Sequence, residues 1–182
     1  AIENGHTAIY RRILSTLRNG ISIGSKHFEF LAFSPSQIRE SSTWFFASRP
    51  GLTAWDIRAW MGDFCRIRNA AKYAARLGQS LSSSTETLTA GKNEIEIIPD
   101  VVAGTRRVKY NFSDGIGKIS AEFACKVSQE CGLIAFTPSA FQIRYGGCKG
   151  VVAVDPSSSK KLSLRGSMCK FDSTDTKLNV LE

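Results

Sequence analysis

The chain has 182 residues, and its 24 Lys and Arg against 16 Asp and Glu give a formal net charge of +8. With 42% hydrophobic and 22% charged residues, the composition excludes wholesale disorder and collagen-like, coiled-coil and disulfide-scaffold classes. Its apolar runs are far shorter than the roughly 20 residues that span a bilayer, so no membrane association is expected.

The first part of the chain predicts helices and two strands. Residues 5–19 place apolar side chains on one face and stop at Asn19-Gly20, which predicts a helix. Aromatic-rich strands are predicted at His27–Phe33 and Trp44–Ala47. A longer helix is predicted from its N-cap Thr53 to Gly78, with Asp56 in the first turn.

The longer helix carries a possible basic edge. At about 100° per residue, four cations fall within one arc of roughly 80° beside the apolar stripe. They are Arg58, Arg68, Lys72 and Arg76. A solvated face remains the commoner explanation of such a pattern on any single helix.

The second part of the chain predicts mostly strands. Strands are predicted at 95–98, 106–112, 141–145, 151–154 and 162–165. Asp114–Lys118 is predicted as a tight turn, and Ser120 to Gly132 as a helix capped by Ser120. Ser80–Thr89 is predicted as a polar loop or turn, with a soft boundary near Thr89 to Gly91. This order disfavours a doubly wound sheet and indicates an α+β fold with a small barrel.

The two ends suggest a piece of a longer intracellular protein. The chain begins Ala1-Ile2-Glu3 without Met and carries no basic-then-apolar signal segment. It ends in an alternating run, Lys177 to Glu182, that predicts a strand cut short. The five cysteines show no C-x-x-C spacing, so we expect buried, reduced thiols in a cytosolic or nuclear protein.

A glycine-rich hairpin is the strongest candidate site for an anion. Gly146-Gly147-Cys148-Lys149-Gly150 leaves one ammonium projecting from a rigid turn. Arg144 precedes it, and Arg165 and Lys170 lie on the next segments. Four cations on neighbouring strands could form a phosphate-binding surface. They could equally be solvated charges that protect a sheet edge, and the pattern alone does not separate the two.

Carboxylates for metal-dependent chemistry are sparse. Asp172 and Asp175 lie close together, as do Glu94, Glu96 and Asp100, and a two-metal site needs several converging carboxylates. For Asp beside Ser and Thr, a capping or turn role is the stronger expectation. From the residues alone, the chain lacks a complete active site.

Several long blocks, in order from about His27 to the end, resemble the eukaryotic cellular RNA-dependent RNA polymerases of RNA silencing, the plant branch most closely. In the first part the blocks are 28–34 with Ser36-Gln37, 57–64 and 71–79. In the second part they are 112–120, 138–147, 149–155, 162–165 and 167–171. Blocks of this length in a fixed order are far more specific than any short motif.

The resemblance implies a helical and mixed segment over residues 1–90 that leads into the first of two double-psi β-barrels, over 91–182, incomplete at its C-terminus. That barrel would direct basic residues to phosphates. The resemblance implies that Lys149 and Lys170 stand at the family's phosphate-contacting positions. It implies the same less directly for Arg144 and Arg165. Cys148 stands where the family usually has Tyr, which puts one aromatic contact in doubt.

The implied activity is template-directed RNA synthesis from nucleoside triphosphates on a single-stranded RNA template. The product would be double-stranded RNA for small interfering RNAs and antiviral silencing. No Asp-x-Asp-Gly-Asp motif occurs here, so the aspartates that bind Mg²⁺ are expected beyond Glu182. This piece alone is expected to be inactive, to bind RNA and nucleotide phosphates, and to work with the rest of the polymerase chain in the nucleus or the cytoplasm. The alternative is a non-catalytic basic RNA-binding module.

Overall fold

The structure, a computed structural model, describes residues 2–105 and 108–181. The chain divides into two compact units, Ala1–Leu81 and Ser82–Glu182. Helices and strands occur together, which confirms the predicted α+β class. The division into residues 1–90 and 91–182 stays a prediction. Thr85–Thr89 is a strand of the main sheet of the second unit.

The first unit combines four helices with a small antiparallel sheet. Its elements are α1 (Ile2–Asn19), β1 (Ile21–Ile23), β2 (Lys26–Ala32), α2 (Pro35–Arg39), β3 (Trp44–Phe46), α3 (Ala54–Met61) and α4 (Ala70–Leu77). The predicted first helix and both strands are confirmed. Within the described part of the chain, no helix combines the length and apolar character that crossing a membrane requires.

The single helix predicted from Thr53 to Gly78 is wrong, because it is two helices. Thr53 does cap α3, and Asp56 completes a capping box with it. The helix then ends at Gly62, whose φ of 139° lies outside the helical region. A new N-cap, Asn69, accepts a backbone N–H from the first turn of α4, and Gly78 ends that helix as predicted.

The second unit is built on one seven-stranded sheet. Its strands are β4 (Thr85–Thr89), β5 (Ile95–Ile98), β8 (Ile116–Ser120), β9 (Ala140–Tyr145), β10 (Cys148–Asp155), β11 (Leu162–Arg165) and β12 (Lys177–Val180). A separate two-stranded hairpin contains β6 (Val102–Gly104) and β7 (Lys109–Asn111), and the unit's helix is α5 (Ala121–Glu130). The strand order is β4-β12-β9-β10-β8-β11-β5, and no pairing among the described residues closes β4 onto β5.

Three predictions for this unit change. Thr85–Thr89 is a strand rather than a loop, because β12 supplies it with a partner. Strand β8 begins at Ile116, inside the predicted turn, because it pairs with both β10 and β11. The strand predicted at 106–112 is shorter, and Arg106 and Arg107 lie outside the described residues. Tyr110 and Phe112, which the alternation places on one face of that strand, are 62% and 70% exposed.

The core of this unit lies on one face of the large sheet. Side chains that are fully buried there include Ile119, Ile143, Leu162, Leu164, Met168 and Leu178. Helix α5 covers them with Phe123, Ala124 and Val127, and Ser120 caps that helix as predicted. Because Phe141, Ile143 and Tyr145 point into this core, Gln142 and Arg144 between them on β9 face the opposite side.

Candidate nucleic-acid interface

Strands β9 and β10 form a tight hairpin whose turn requires glycine. Tyr145 pairs with Cys148, so the loop is Gly146-Gly147, and both glycines have positive φ, 50° and 80°. This is the backbone that a two-residue hairpin turn of the primed kind requires. A Cβ at Gly147 would clash with the backbone carbonyl of Phe171, and one at Gly150 with that of Gly115. The close approach at these two glycines is therefore to protein backbone.

The face of the sheet opposite the core carries a row of polar side chains across four strands. Glu86 of β4 pairs with Asn179 of β12, Asn179 pairs with Arg144 of β9, and Arg144 pairs with Lys149 of β10. At about 4.8 Å per strand, Glu86 lies two strands from Arg144. Its carboxylate is engaged by Lys177, with Nζ and Oε1 2.5 Å apart. We call the two cations Arg144 and Lys149, together with the neutral Asn179 beside them, the cationic row.

Arg144 is the unusual member of the cationic row. It is half-buried, and its Nη1 donates to the backbone oxygen of Ile143 at 2.9 Å. Its Nε is buried and has no hydrogen-bond partner among the described residues. Burial lowers the pKa of the Arg144 guanidinium from its usual value. Since a buried polar group without a partner costs free energy, a small rotation that brings this Nε to an acceptor from outside would be favoured.

Lys149 lies directly opposite Arg144. Two like charges directly opposite each other on neighbouring strands repel, and a bound anion reduces that repulsion. Arginine is the side chain best matched to phosphate, because its planar fork donates two parallel hydrogen bonds. Together the two cations provide what an anionic phosphate group needs.

Lys170 lies beside the hairpin rather than in the cationic row. Its backbone N–H donates to Gly147 O at 3.1 Å, and the Lys149 N–H donates to Met168 O at 3.0 Å. These bonds flank an isolated β-bridge between Cys148 and Cys169, which form a disulfide. The Lys170 ammonium donates to the backbone oxygen of Ser167. The structure therefore brings Lys149 and Lys170 to the two sides of one bridge.

The cysteines differ from the predicted buried, reduced thiols. Two of the five are joined in the bridge, which the irregular segment after β11 forms with the first residue of β10. Of the free thiols, Cys65 and Cys125 are exposed and Cys131 is half-buried. Spacing alone could not reveal the pair, because 21 residues separate its members.

Arg165 has structural partners. Its Nε donates to Ile116 O at 2.8 Å, and its Nη1 donates to the backbone oxygen of Pro99. The side chain thus ties the start of β8 to the end of β5. Its predicted role at phosphates stays a prediction, as do those of Lys149, Lys170 and Arg144.

The basic edge predicted on one long helix is wrong, because the helix is interrupted. Arg58 is on α3, whereas Lys72 and Arg76 are on α4 and Arg68 lies between the two. Arg58 also donates from Nε to Leu31 O at 3.1 Å and from Nη2 to Phe30 O, which fastens α3 to β2.

Three of the carboxylates considered for metal binding make hydrogen bonds within the fold. Asp100 accepts from the Ser167 hydroxyl at 2.6 Å, and Glu96 accepts from the Ser163 hydroxyl at 2.6 Å. Asp175 accepts the N–H of Lys177 two residues on, which is a turn contact. No group of three or more His, Cys, Asp or Glu side chains suited to a metal occurs within 2–105 or 108–181. These residues do not fit a two-metal centre.

Sequence reasoning missed one residue of the cationic row and the covalent link beside it. Asn179 lies near the end of the chain and reaches Arg144 only through the pairing of β12 with β9. Alternation along β9 could have shown that Gln142 and Arg144 share a face. No sequence signal joins Cys148 to Cys169.

Comparison with known proteins places the chain in one context. A family model described as RNA dependent RNA polymerase matches residues 1–182. The chain is 68% identical over 175 residues to RNA-dependent RNA polymerase 1 of Arabidopsis thaliana, an alignment that covers 96% of this chain and 16% of that protein. It is 38% identical over 180 residues to RNA-dependent RNA polymerase 1 of Schizosaccharomyces pombe, covering 96% and 14%. The chain thus spans about a sixth of the length of these relatives.

A solved structure shares the fold. The RNA dependent RNA polymerase QDE-1 from Thielavia terrestris superposes with a TM-score of 0.71 at 21% identity. The superposition covers 89% of this chain and 20% of that one.

Proposed function

The chain belongs to the RNA-dependent RNA polymerase family, and on that premise we propose that it forms part of an RNA-directed RNA polymerase to which it contributes a phosphate-binding surface, the cationic row. Lys170, at the edge of the hairpin, extends this surface. The anion is the phosphate backbone of single-stranded RNA or the phosphates of an incoming nucleoside triphosphate. Both present the same oxygen acceptors.

The observation that carries this proposal is the unpartnered Nε of Arg144. A half-buried guanidinium with a buried N–H that has no partner among the described residues is an expensive arrangement. A small rotation of the side chain would let a bound phosphate accept from it and offset its charge.

The wider setting follows from family membership. We propose that the sheet of the second unit belongs to the first of two double-psi β-barrels, which the likeness in fold to QDE-1 supports. Mg²⁺ would be bound by parts of the full-length polypeptide outside this chain. The double-stranded product would feed small interfering RNA production and antiviral silencing inside the cell, in the nucleus or the cytoplasm.

The test replaces Arg144 and Lys149, which lie opposite each other on β9 and β10, in the full-length polypeptide that carries this sequence. For Arg144→Gln with Lys149→Gln we expect weaker binding of single-stranded RNA. The slope of log affinity against log salt should fall by about 0.7 for each phosphate that the variant no longer neutralises. Arg144→Lys should recover only part of the affinity, because an ammonium cannot donate in the paired geometry of a guanidinium. Fluorescence anisotropy over a salt series measures both effects.

A matched control separates local recognition from net charge. Lys126→Gln with Lys161→Gln removes the same charge from lysines that are paired with Glu122 and Glu94. If this control weakens RNA binding as much as the first variant, the cationic row has no special role. Nucleotide incorporation on a template, measured in parallel, distinguishes a polymerase from a non-catalytic RNA-binding module. The module would show the same weakening of RNA binding and no incorporation in the unmutated protein.

A further inference from the structure

Beside the cationic row lies a pair of thiols with unequal exposure. Cys148 is 5% exposed and belongs to the core of the second unit, whereas Cys169 is exposed. Their Cα atoms are 3.9 Å apart across the isolated bridge. Cys169 is thus open to solution as a residue, and its partner lies in the core. A redox-responsive thiol site combines these two features: an accessible cysteine and an adjacent resolving one.

We propose that Cys169 and Cys148 are a reversible thiol–disulfide modification site that controls phosphate binding at Lys149 and Lys170. The effect on phosphate binding rests on the proposed function, whereas the thiol–disulfide exchange itself does not. Its oxidant is a small-molecule disulfide such as glutathione disulfide. Inside a cell, protein disulfides of this kind are typically transient and responsive to redox state.

The reaction proceeds by two exchanges. The thiolate of Cys169 attacks one sulfur of glutathione disulfide, a mixed disulfide forms on Cys169, and one glutathione leaves as thiolate. The thiolate of Cys148 then attacks the Cys169 sulfur and displaces the second glutathione. The two protein thiols lose two protons and two electrons, and two molecules of glutathione carry them away. Excess reduced glutathione drives the same steps backwards.

Oxidation restrains both lysines because each directly follows one of the cysteines in the chain. The disulfide ties the first residue of β10 to the segment around Cys169. After reduction, the two backbone hydrogen bonds that flank the bridge, from Lys149 to Met168 and from Lys170 to Gly147, are left to hold the two segments together.

The oxidised form is the one prepared for phosphate. With the bridge closed, Lys170 is held beside the hairpin that carries Lys149. With the bridge open, the segment of Lys170 must be ordered when the ligand binds. Ordering one long side chain corresponds to a decrease of about two- to tenfold in affinity.

The first experiment tests the chemistry without RNA. The full-length polypeptide is equilibrated in buffers of reduced and oxidised glutathione, its free thiols are alkylated, and the peptides are identified by mass spectrometry. We expect Cys148 and Cys169 to become protected together as the oxidised fraction rises. Cys148→Ser should trap glutathione on Cys169, whereas Cys169→Ser should leave Cys148 unmodified. Absence of the Cys148–Cys169 link at every ratio overturns the proposal.

The second experiment tests the consequence. We expect single-stranded RNA to bind about two- to tenfold more weakly to the reduced than to the oxidised protein. The Cys148→Ser/Cys169→Ser variant should bind RNA equally in both buffers, while Cys125→Ser, which removes an exposed free thiol on α5, should respond like the unmutated protein. Equal or tighter binding by the reduced protein overturns the regulatory role. Weaker RNA binding by Arg144→Gln with Lys149→Gln, measured alongside, shows whether the proposed function stands independently of it.

Discussion

Three arginines of this chain show how environment decides the use of one side chain. Arg58 and Arg165 each donate to two backbone carbonyls and fasten neighbouring elements together. Arg144 donates to one carbonyl and keeps a buried Nε without a partner in the described chain. Donors already engaged by the fold are poorly placed for a ligand. Of these three arginines, Arg144 is therefore the one with a donor left for a ligand. Charge counting alone weights all three equally.

Asp100 is one of the carboxylates whose ionisation is expected to make the stability depend on pH. Its carboxylate accepts from Ser167 and Ser113, and the Ser167 hydroxyl contributes most to holding the pKa of Asp100 below its ordinary value of 3.8. A lowered pKa adds stability above that ordinary value and loses it as the pH falls through the folded-state value. Asp100→Asn should therefore lower the free energy of unfolding near neutral pH, and the difference should shrink below about pH 4. Urea unfolding at several pH values measures it.

Asp114→Asn is the control for Asp100, because it changes an exposed carboxylate in the turn before β8. It should leave the free energy of unfolding nearly unchanged. A pH-independent difference between Asp100→Asn and the unmutated protein would contradict the assigned role.

At the scale of elements, the β9–β10 hairpin positions the candidate site. Its two-residue turn sets the register that places Arg144 opposite Lys149, and a shift of one strand by one residue would turn that strand's cation to the core. Glycine is required in the turn for two separate reasons. Both turn residues have positive φ, and the Phe171 carbonyl lies too close to Gly147 to leave room for a Cβ.

Comparing Gly147→Ala with Gly132→Ala separates the effect of the steric clash from that of the positive φ. Their φ angles are 80° and 78°, but a Cβ at Gly132 meets no atom within 4 Å. Gly132→Ala should cost about 1–2 kcal/mol from backbone strain. Gly147→Ala should cost a further amount of about 1–3 kcal/mol from overpacking against Phe171. Thermal and urea unfolding report both, and equal destabilisation would show that the clash with Phe171 is easily relieved.

At the scale of the whole molecule, the second unit contains its own core. The buried cluster runs from Ala90 to Leu178 in sequence and lies within residues 82–182. Strand β12 is essential to it, because β12 joins β4 to β9 and buries Leu178 completely. Because β12 lies between β4 and β9, its loss removes the pairing partner of β4 and one partner of β9.

Residues 82–182 expressed alone should therefore fold cooperatively, whereas residues 82–176, which lack β12, should not. Removing β12 leaves β4 without its partner and exposes the core around Leu178. Amide exchange and the dispersion of NMR signals distinguish the two outcomes. Protected amides in the shorter piece would contradict the importance given to β12.

Local patterns in the sequence determined the elements whose signals are local. The first helix, strands β2 and β3, the caps Thr53 and Ser120, helix α5 and the glycine turn between β9 and β10 all follow from spacing, capping and turn chemistry. Long blocks of sequence also indicated the family, which comparison confirmed. Four candidate cations could be named because their residue types are visible in the printed chain.

Tertiary structure alone decided which residues meet. The break at Gly62 and the strand at Thr85–Thr89 depend on a backbone conformation and a partner that no short window contains. The unpartnered Nε of Arg144, the donors already used by Arg165, and the bridge between Cys148 and Cys169 depend on residues distant in sequence. Burial and pairing across a sheet are set by neighbours in space, and a sequence records only neighbours along the chain.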